Sequence, residues 1–86
     1  MTRGELTHHL IENECYPDDE VECEVSQLWI NAINGESCYV PCEEELSVNT
    51  FCHVIYELGI QPPLEYDSFY AVYVGFRREL PIPKNI

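Results

Sequence analysis

The spacing of apolar residues divides the chain into six predicted elements of secondary structure. Helical spacing marks the residues around Leu6 and Leu10 and, more clearly, those from Val48 to Leu58. The predicted order is a helix over residues 2–13, strands over 20–25, 28–32 and 37–40, a helix over 48–58 and a strand over 69–76. The sequence therefore predicts a two-layer α+β domain, α-β-β-β-α-β, with two helices on one face of an antiparallel sheet.

Local signals mark the ends of several of these elements. Thr2 and Glu5 have the spacing of a capping box at the start of the first helix. Ser47 is a good N-cap for the second helix, and Gly59 can adopt the left-handed conformation that ends it. The Asn-Gly pair at 34–35 accepts positive φ at both residues and predicts a two-residue type I′ hairpin turn. The last strand is predicted from the aromatic and β-branched residues of 69–76.

Charge is distributed unevenly along the chain. The sequence has 16 acidic residues, 4 basic residues and a formal net charge of −12. No lysine or arginine lies between Arg3 and Arg77, and every acidic residue except Glu79 falls in that stretch. Because fixed positive charges cannot neutralise these carboxylates locally, we expect them to face water or a basic partner. Such a field attracts cationic surfaces and repels phosphate, which argues against direct binding of nucleic acid.

The length and composition are typical of one small folded domain over residues 1–86. The hydrophobic fraction of 45% is too high for an acidic disordered tail, and the length suits a single core. No secretory signal is recognisable at the start, and no apolar stretch reaches the roughly 20 residues that span a membrane. We therefore expect a cytoplasmic protein with reduced cysteines and no membrane association.

The densest acidic segment gives the main candidate site. Glu20, Glu22 and Glu24 share one face of a predicted strand, where they recur every ~6.6–7 Å. One alternative is a solvated strand edge that resists aggregation, and another is a calcium loop, although the alternating aspartates of such a loop are absent. The predicted partner-binding residues are Asp18, Asp19, Glu20, Glu22, Glu24, Glu43, Glu44, Glu45 and Trp29.

The histidines and cysteines do not specify a catalytic or metal site. His8 and His9 are adjacent on a helix and point about 100° apart, so we expect a solvated face. Cys38 and Cys42, with the Cys-His pair at 52–53, have tolerable spacing for zinc, but the last two side chains diverge on a helix. Buried cysteine is commonly a small apolar residue. We therefore predict no catalytic residue, no metal and no cofactor.

A set of short motifs along residues 2–62 is shared with a known family of small proteins. The motifs are Arg-Gly-Glu-Leu at 3–6 with Leu10, Ser-Gln-Leu-Trp-Ile at 26–30, Asn-Gly at 34–35, Tyr-Val-Pro at 39–41 and Ile-Tyr-Glu-Leu-Gly-Ile at 55–60. In these motifs the chain resembles the HicA (YcfA-like) toxins, which are mRNA interferases with an α-β-β-β-α fold like that of double-stranded-RNA-binding domains. The predicted last strand and tail, residues 66–86, lie outside the resemblance.

The chain departs from that family at its functional positions. The family's Gly-Ser-x-His segment carries the histidine of RNA cleavage, and Gln27 occupies that place here. A glutamine amide does not titrate and cannot act as a general acid or base. The family is also basic after its Val-Pro pair, whereas residues 41–45 read Pro-Cys-Glu-Glu-Glu. The resemblance therefore implies a HicA-like scaffold that has lost both RNA cleavage and phosphate binding.

These observations predict a non-catalytic acidic domain that binds a basic, nucleic-acid-binding surface of another protein. A phage-type or anti-defence inhibitor, such as an anti-CRISPR protein, would act in this way. One alternative is a divergent HicA-like interferase in which His8, His9 or His53 replaces the missing base. Another is a partner of a HicB-type antitoxin in a toxin-antitoxin system. The strand predicted over 69–76 would also offer an open edge for a homodimer.

Overall fold

The described residues form three helices and one three-stranded sheet. The computed structural model describes residues 1–19 and 25–79. Its elements are α1 (Arg3–Glu12), β1 (Cys15–Pro17), β2 (Ser26–Asn31), β3 (Ser37–Pro41), α2 (Val48–Leu58), a 3-10 turn (Leu64–Tyr66) and α3 (Asp67–Glu79). The sheet is antiparallel in the order β1-β2-β3, so the predicted small α+β domain is confirmed. No helix within these two ranges is long and apolar enough to cross a bilayer.

The first two helices begin and end at their predicted signals. In the capping box of α1, the Glu5 N–H donates to Thr2 Oγ1 (3.1 Å) and the Thr2 N–H donates to Glu5 Oε1 (2.8 Å). These hydrogen bonds, first of all the one from the Thr2 backbone, hold the pKa of Glu5 below its ordinary value. The Thr50 N–H donates to Ser47 Oγ (3.1 Å) at the start of α2, and Gly59 ends that helix at φ 68°. Local hydrogen bonding therefore fixes both helices.

The core lies between the sheet and the helices α1 and α2. Both helices place leucines and other large apolar side chains against one face of the sheet, where they are fully buried. The main core residues are Leu6, Leu10, Trp29, Cys38, Val40, Phe51, Val54, Ile55 and Leu58. The opposite face carries Tyr16 and Tyr39, which are about half exposed, and the half-buried Leu28 and Ile30. The sheet therefore has one covered face and one open face.

The period-two pattern of Leu28, Ile30 and Ala32 predicts that these residues form the buried face of β2, and the structure shows the other face buried. Trp29 and Asn31 point into the core, whereas Leu28 and Ile30 point to the open face. Asn31 is only 3% exposed, and its Nδ2 donates to the carbonyl oxygen of Leu58 at the end of α2 (2.8 Å). Because its amide is satisfied there, a polar residue takes a core position. The predicted alternation is correct, but its phase is reversed.

The β2–β3 hairpin is confirmed, but its turn is longer than predicted. The strands end at Asn31 and resume at Ser37, and the Gly35 N–H donates to the Asn31 carbonyl (2.9 Å). Gly35 has a φ of 78°, while Asn34 does not share the positive φ of a type I′ turn. Asn34 instead donates to the Leu58 carbonyl (3.1 Å). Asn34 thus forms a hydrogen bond to α2 and does not take part in a two-residue type I′ turn.

The first strand lies earlier in the chain than predicted. It is β1 (Cys15–Pro17), a segment that the pattern assigned to a loop and a turn. Most of the strand predicted over 20–25 falls on residues 20–24, which lie outside the described residues. Val25 is described, and it lies in a bend with 73% of its surface exposed. Its predicted place on a buried strand face is therefore wrong.

The strand predicted over 69–76 is wrong, because this segment lies within the helix α3. Its aromatic residues recur at helical spacing, and Tyr66, Tyr70 and Tyr73 pack against the core. Asp67 in the first turn and two arginines in the last turn also match the helix dipole. Helical periodicity thus prevails over β-propensity. A homodimer through a 69–76 edge strand is ruled out, since there is no strand edge in this segment.

We predict that replacing Asn31 with alanine will lower the free energy of unfolding by about 1–3 kcal/mol. The substitution leaves the Leu58 carbonyl with one hydrogen bond fewer in a buried setting and removes the acceptor of the Ile33 N–H (2.8 Å). Asn49→Ala is the matched control, because Asn49 is an exposed asparagine on α2. Urea unfolding measures both. Equal effects would show that the Asn31 amide has no special role.

We predict opposite effects of alanine at two glycines. Gly75→Ala should raise the free energy of unfolding by about 0.5–1 kcal/mol, because Gly75 lies inside α3 and a Cβ there meets no atom within 4 Å. Gly59→Ala should lower it by about 1–2 kcal/mol, since Gly59 has φ +68°. A Cβ at Gly59 would also lie 2.9 Å from Asn34 Nδ2. Thermal unfolding of both variants tests the α3 assignment, and destabilisation by Gly75→Ala would contradict it.

Candidate functional site

Two of the predicted acidic segments lie toward the same end of the sheet. β1 ends at Pro17 and is followed by the two aspartates, and β3 ends at Pro41 and is followed by the three glutamates. The Asp18 N–H donates to the Leu28 carbonyl (2.8 Å), so the aspartates lie beside the start of β2. The Cys42 N–H donates to the Val25 carbonyl (2.9 Å) on the other side of β2. We call this the acidic end, and its residues are Asp18, Asp19, Glu43, Glu44 and Glu45.

Backbone hydrogen bonds hold the three glutamates of the acidic end against the start of α1. The Arg3 N–H donates to the Glu44 carbonyl (2.8 Å), and the Leu46 N–H donates to the Met1 carbonyl (2.8 Å). Leu46 is 4% exposed and anchors the segment in the core. Glu43, Glu44 and Glu45 are all exposed. The protein therefore presents these carboxylates to solvent on a fixed backbone.

Few positive charges lie near the acidic end. Arg3 is half-buried beside the glutamates, and its Nε has no hydrogen-bond partner among the described residues. Arg77 lies elsewhere, where its guanidinium is 3.6 Å from the Glu57 carboxylate and 4.7 Å from the centre of the Tyr56 ring. Arg78 is exposed in the last turn of α3. The negative potential of the acidic end is thus offset only in part.

The structure does not place Trp29 on a binding surface. Its ring is 5% exposed and packs in the core, and its Nε1 has no hydrogen-bond partner within the described ranges. The prediction that Trp29 contacts a partner is therefore wrong. Two other aromatic residues, Tyr39 (53% exposed) and Tyr56 (36% exposed), do reach the surface. Helical and strand spacing alone could not distinguish these positions, because all three rings lie in regular elements.

The central residues of the predicted acidic site are not described. Glu20, Glu22 and Glu24 lie within residues 20–24, outside the part of the chain that the structure describes. Their proposed alternation on one strand face stays a prediction. The flanking Asp19 is exposed, and Asp18 is half-buried. Of the predicted site, the structure therefore describes the flanking aspartates but not the three central glutamates.

The histidines make structural contacts on three different surfaces. His8 Nε2 lies 3.2 Å from the Glu12 carboxylate on the exposed side of α1. His9 Nε2 lies 2.6 Å from the Gln61 carbonyl, so it links α1 to the segment after α2. His53 Nδ1 lies 3.2 Å from the Tyr73 hydroxyl and links α2 to α3. Each of the three side chains thus has a polar partner in the structure.

The glutamine at the position of the family histidine is held by backbone contacts. Gln27 Nε2 donates to the Asp18 carbonyl (2.9 Å) and to the Leu28 carbonyl (3.2 Å). The side chain therefore fastens the end of β1 to β2. This arrangement stabilises the acidic end and provides no proton-transfer group.

The described cysteines are dispersed. Cys15, Cys38 and Cys52 are buried and Cys42 is exposed, and all four are free thiols. Burial raises the pKa of all three buried thiols, that of Cys38 to about 11. Within residues 1–19 and 25–79, no group of three or more His, Cys, Asp or Glu side chains is placed to hold a metal ion. The described chain thus shows no assembled zinc site.

The sequence did not predict an apolar groove between α2 and α3. Its volume is about 500 Å³. Phe69, Val72 and Phe76 form one wall and remain 54–74% exposed. The wall facing them includes Val48 and Cys52 of α2. The helical spacing of the three α3 residues was the signal that would have revealed this groove, but these residues were assigned to a strand.

Comparisons with known proteins found no relative. No protein-family model matches the chain, and neither a curated protein nor a solved structure matches it. The resemblance to HicA toxins therefore stays a prediction that rests on the short motifs of residues 2–62.

We predict that alkylation will distinguish the thiols. Exposed Cys42 should react with iodoacetamide in the folded protein, whereas Cys15, Cys38 and Cys52 should react only after unfolding in urea. The thiolate is the reactive form, and a pKa near 11 instead of 9.0 lowers the thiolate fraction of Cys38 about a hundredfold, in addition to steric protection. Peptide mass spectrometry measures each site separately. Rapid native labelling of Cys38 would contradict its place in the core.

Proposed function

We propose that this chain is a non-catalytic protein-binding domain that inhibits its partner by occupying a basic, nucleic-acid-binding surface. The observation that carries the proposal is the acidic end, where two separate loops carry exposed carboxylates on hydrogen-bonded backbone toward the same end of the sheet. A net charge of −12 surrounds this site with a negative potential. Such a potential accelerates association with a cationic surface and repels nucleic acid.

The spacing of the two loops supports a groove-filling role. β1 and β3 flank β2, and their last residues pair with Trp29 and Ser26, so their ends are about 9–10 Å apart across the sheet and roughly 10 Å apart along it, about 14 Å in all. Carboxylates at that separation can engage arginines or lysines on both sides of a cationic groove. Charge-assisted hydrogen bonds to such residues are shorter and stronger than neutral ones. The partner we propose is therefore a protein whose basic groove normally holds phosphates.

We further propose that the scaffold is HicA-like and that its electrostatic sign has been reversed. In support, the elements from α1 to α2 occur in the order α-β-β-β-α that the resemblance implies. Gln27 occupies the position of the cleavage histidine, and its side-chain amide donates to two backbone carbonyls. The expected setting is the cytoplasm, where cysteines stay reduced. An anti-defence or phage-type inhibitor fits this combination.

The proposal predicts that neutralising the acidic end will abolish capture of basic proteins. The test variant is Glu43→Gln, Glu44→Gln and Glu45→Gln, compared with the unchanged protein as bait in a native extract. We expect bound proteins to be basic nucleic-acid-binding proteins that elute early in a salt gradient and are displaced by added double-stranded DNA. With a purified partner, the triple substitution should weaken binding at low salt about tenfold or more.

The matched control removes the same charge from residues outside the acidic end. It is Glu12→Gln, Glu14→Gln and Glu65→Gln, and these three residues are also exposed. We expect this control to retain most of the affinity, because none of its residues belongs to the acidic end or adjoins β3. Equal loss in both variants would show that only overall charge matters. Direct RNA binding or RNA turnover by the unchanged protein would overturn the proposal.

A further inference from the structure

One edge of the sheet, that of β3, presents hydrogen-bonding groups that no other strand among residues 1–19 and 25–79 pairs with. The Cys42 N–H donates to Val25 and the Asn31 N–H donates to Glu36, which fixes the phase of the β2–β3 ladder. In that phase, Cys38 and Val40 bond to β2, while the N–H groups of Ser37 and Tyr39 point away from it. Neither N–H has a hydrogen-bond partner in the described part of the chain.

The other edge of the sheet is less suited to pairing. β1 is only three residues long, and one of its residues that points outward is Pro17, which has no N–H. The helix α1 also contacts this strand. Short strands and prolines are common means of blocking an edge. The five-residue β3 is therefore the place where an added strand fits the fold.

The charges around β3 select the kind of strand that can join it. No charged residue lies within Ser37–Pro41, but Glu36 precedes it and three glutamates of the acidic end follow it. A second copy of this chain would bring like charges together, since each copy carries −12. A strand with uncharged residues in its centre and basic residues at both ends is complementary to this edge.

We propose that the β3 edge binds an extended basic segment of the partner by antiparallel strand addition. This inference rests on the proposed function and names the form in which the partner is recognised. The N–H groups of Ser37 and Tyr39 donate to carbonyls of the segment, and the carbonyls of Ser37, Tyr39 and Pro41 accept from it. Lysine or arginine side chains at its ends meet Glu36 and the acidic end. The half-exposed Tyr39 ring packs beside the centre of the segment on the open face.

The test uses a synthetic peptide as the probe. The peptide has three lysines, an uncharged stretch of alternating valine and threonine, and a final lysine, so that its lysines lie opposite the glutamates in an antiparallel register. Amide hydrogen exchange of the full chain with saturating peptide should show new protection at Ser37 and Tyr39, because Cys38 and Val40 already bond to β2. Protection spread over other surfaces, with none at these two amides, would overturn the proposal.

Two substitutions at Tyr39 distinguish the contribution of its backbone N–H to peptide binding from the contribution of its side chain. Tyr39→Pro removes the ring and, of the backbone hydrogen-bonding groups, only an outward N–H, which an edge strand tolerates, and should weaken peptide binding about tenfold or more. Tyr39→Ala removes the ring but keeps the N–H, and should weaken it less. Circular dichroism and urea unfolding establish that both variants fold. If Tyr39→Pro misfolds, N-methylation of the central peptide residues replaces it as the test, with the same expected loss.

The outcomes distinguish this inference from the proposed function. Loss of binding in the Glu43→Gln, Glu44→Gln, Glu45→Gln variant together with full binding by folded Tyr39→Pro means that the acidic end acts without strand addition. Loss in both supports the inference. A peptide in which glutamates replace the lysines should not bind, and binding of that peptide would contradict the charge complementarity. Concentration-dependent dimerisation that protects Ser37 and Tyr39 without peptide would show that a second copy occupies the edge.

Discussion

The buried amide of Asn31 fixes the position of α2 relative to the sheet. The positions of the acidic end and of the β3 edge depend on that arrangement. Its Nδ2 donates to the Leu58 carbonyl (2.8 Å), and Asn34 donates to the same oxygen (3.1 Å). A slip of β2 by one residue would turn Asn31 and Trp29 to the open face and bury Leu28. Because a carbonyl at a helix end needs a partner when buried, that slip is strongly disfavoured. The ends of β1 and β3 are therefore held in register.

In this strongly acidic chain, Arg77 forms stabilising contacts between two helices. Arg77 is placed by α3 between Glu57 and the rings of Tyr56 and Tyr73, with its Nη1 donating to the Tyr73 hydroxyl (2.9 Å). A guanidinium group that stacks on aromatic rings, as Arg77 does, stabilises the fold more than an arginine on an exposed loop. This cation connects α3 to α2 and is not paired with a carboxylate of the acidic end. The distribution of charge thus separates the stabilising contacts from the proposed binding surface.

Local signals predicted α1 and α2 well, since capping boxes and C-terminal glycines act within a few residues of the helix ends. The sequence failed where a contact distant in the chain decides the outcome. Asn31 reversed the phase of β2 because its partner is Leu58, and α3 became a helix because its tyrosines pack on α2 and the core. The sequence showed the two charged segments of the acidic end. Only the pairing of β1 and β3 with β2 shows that they lie toward the same end of the sheet. The burial of Trp29 followed from the reversed phase.

The acidic end and the β3 edge have complementary physical roles. Carboxylates act over about a Debye length and bring a basic partner close without fixing its orientation. Backbone hydrogen bonds act only at contact, but they impose a direction and a register on the added segment. Pro41 lies between the two features, and because it lacks an N–H, hydrogen bonding weakens where the glutamates begin. An antiparallel bound segment thus changes at Pro41 from backbone pairing to side-chain ion pairing, so the basic residues that meet the acidic end must precede its uncharged stretch. That order, more than total charge, is what would allow this domain to discriminate among basic proteins.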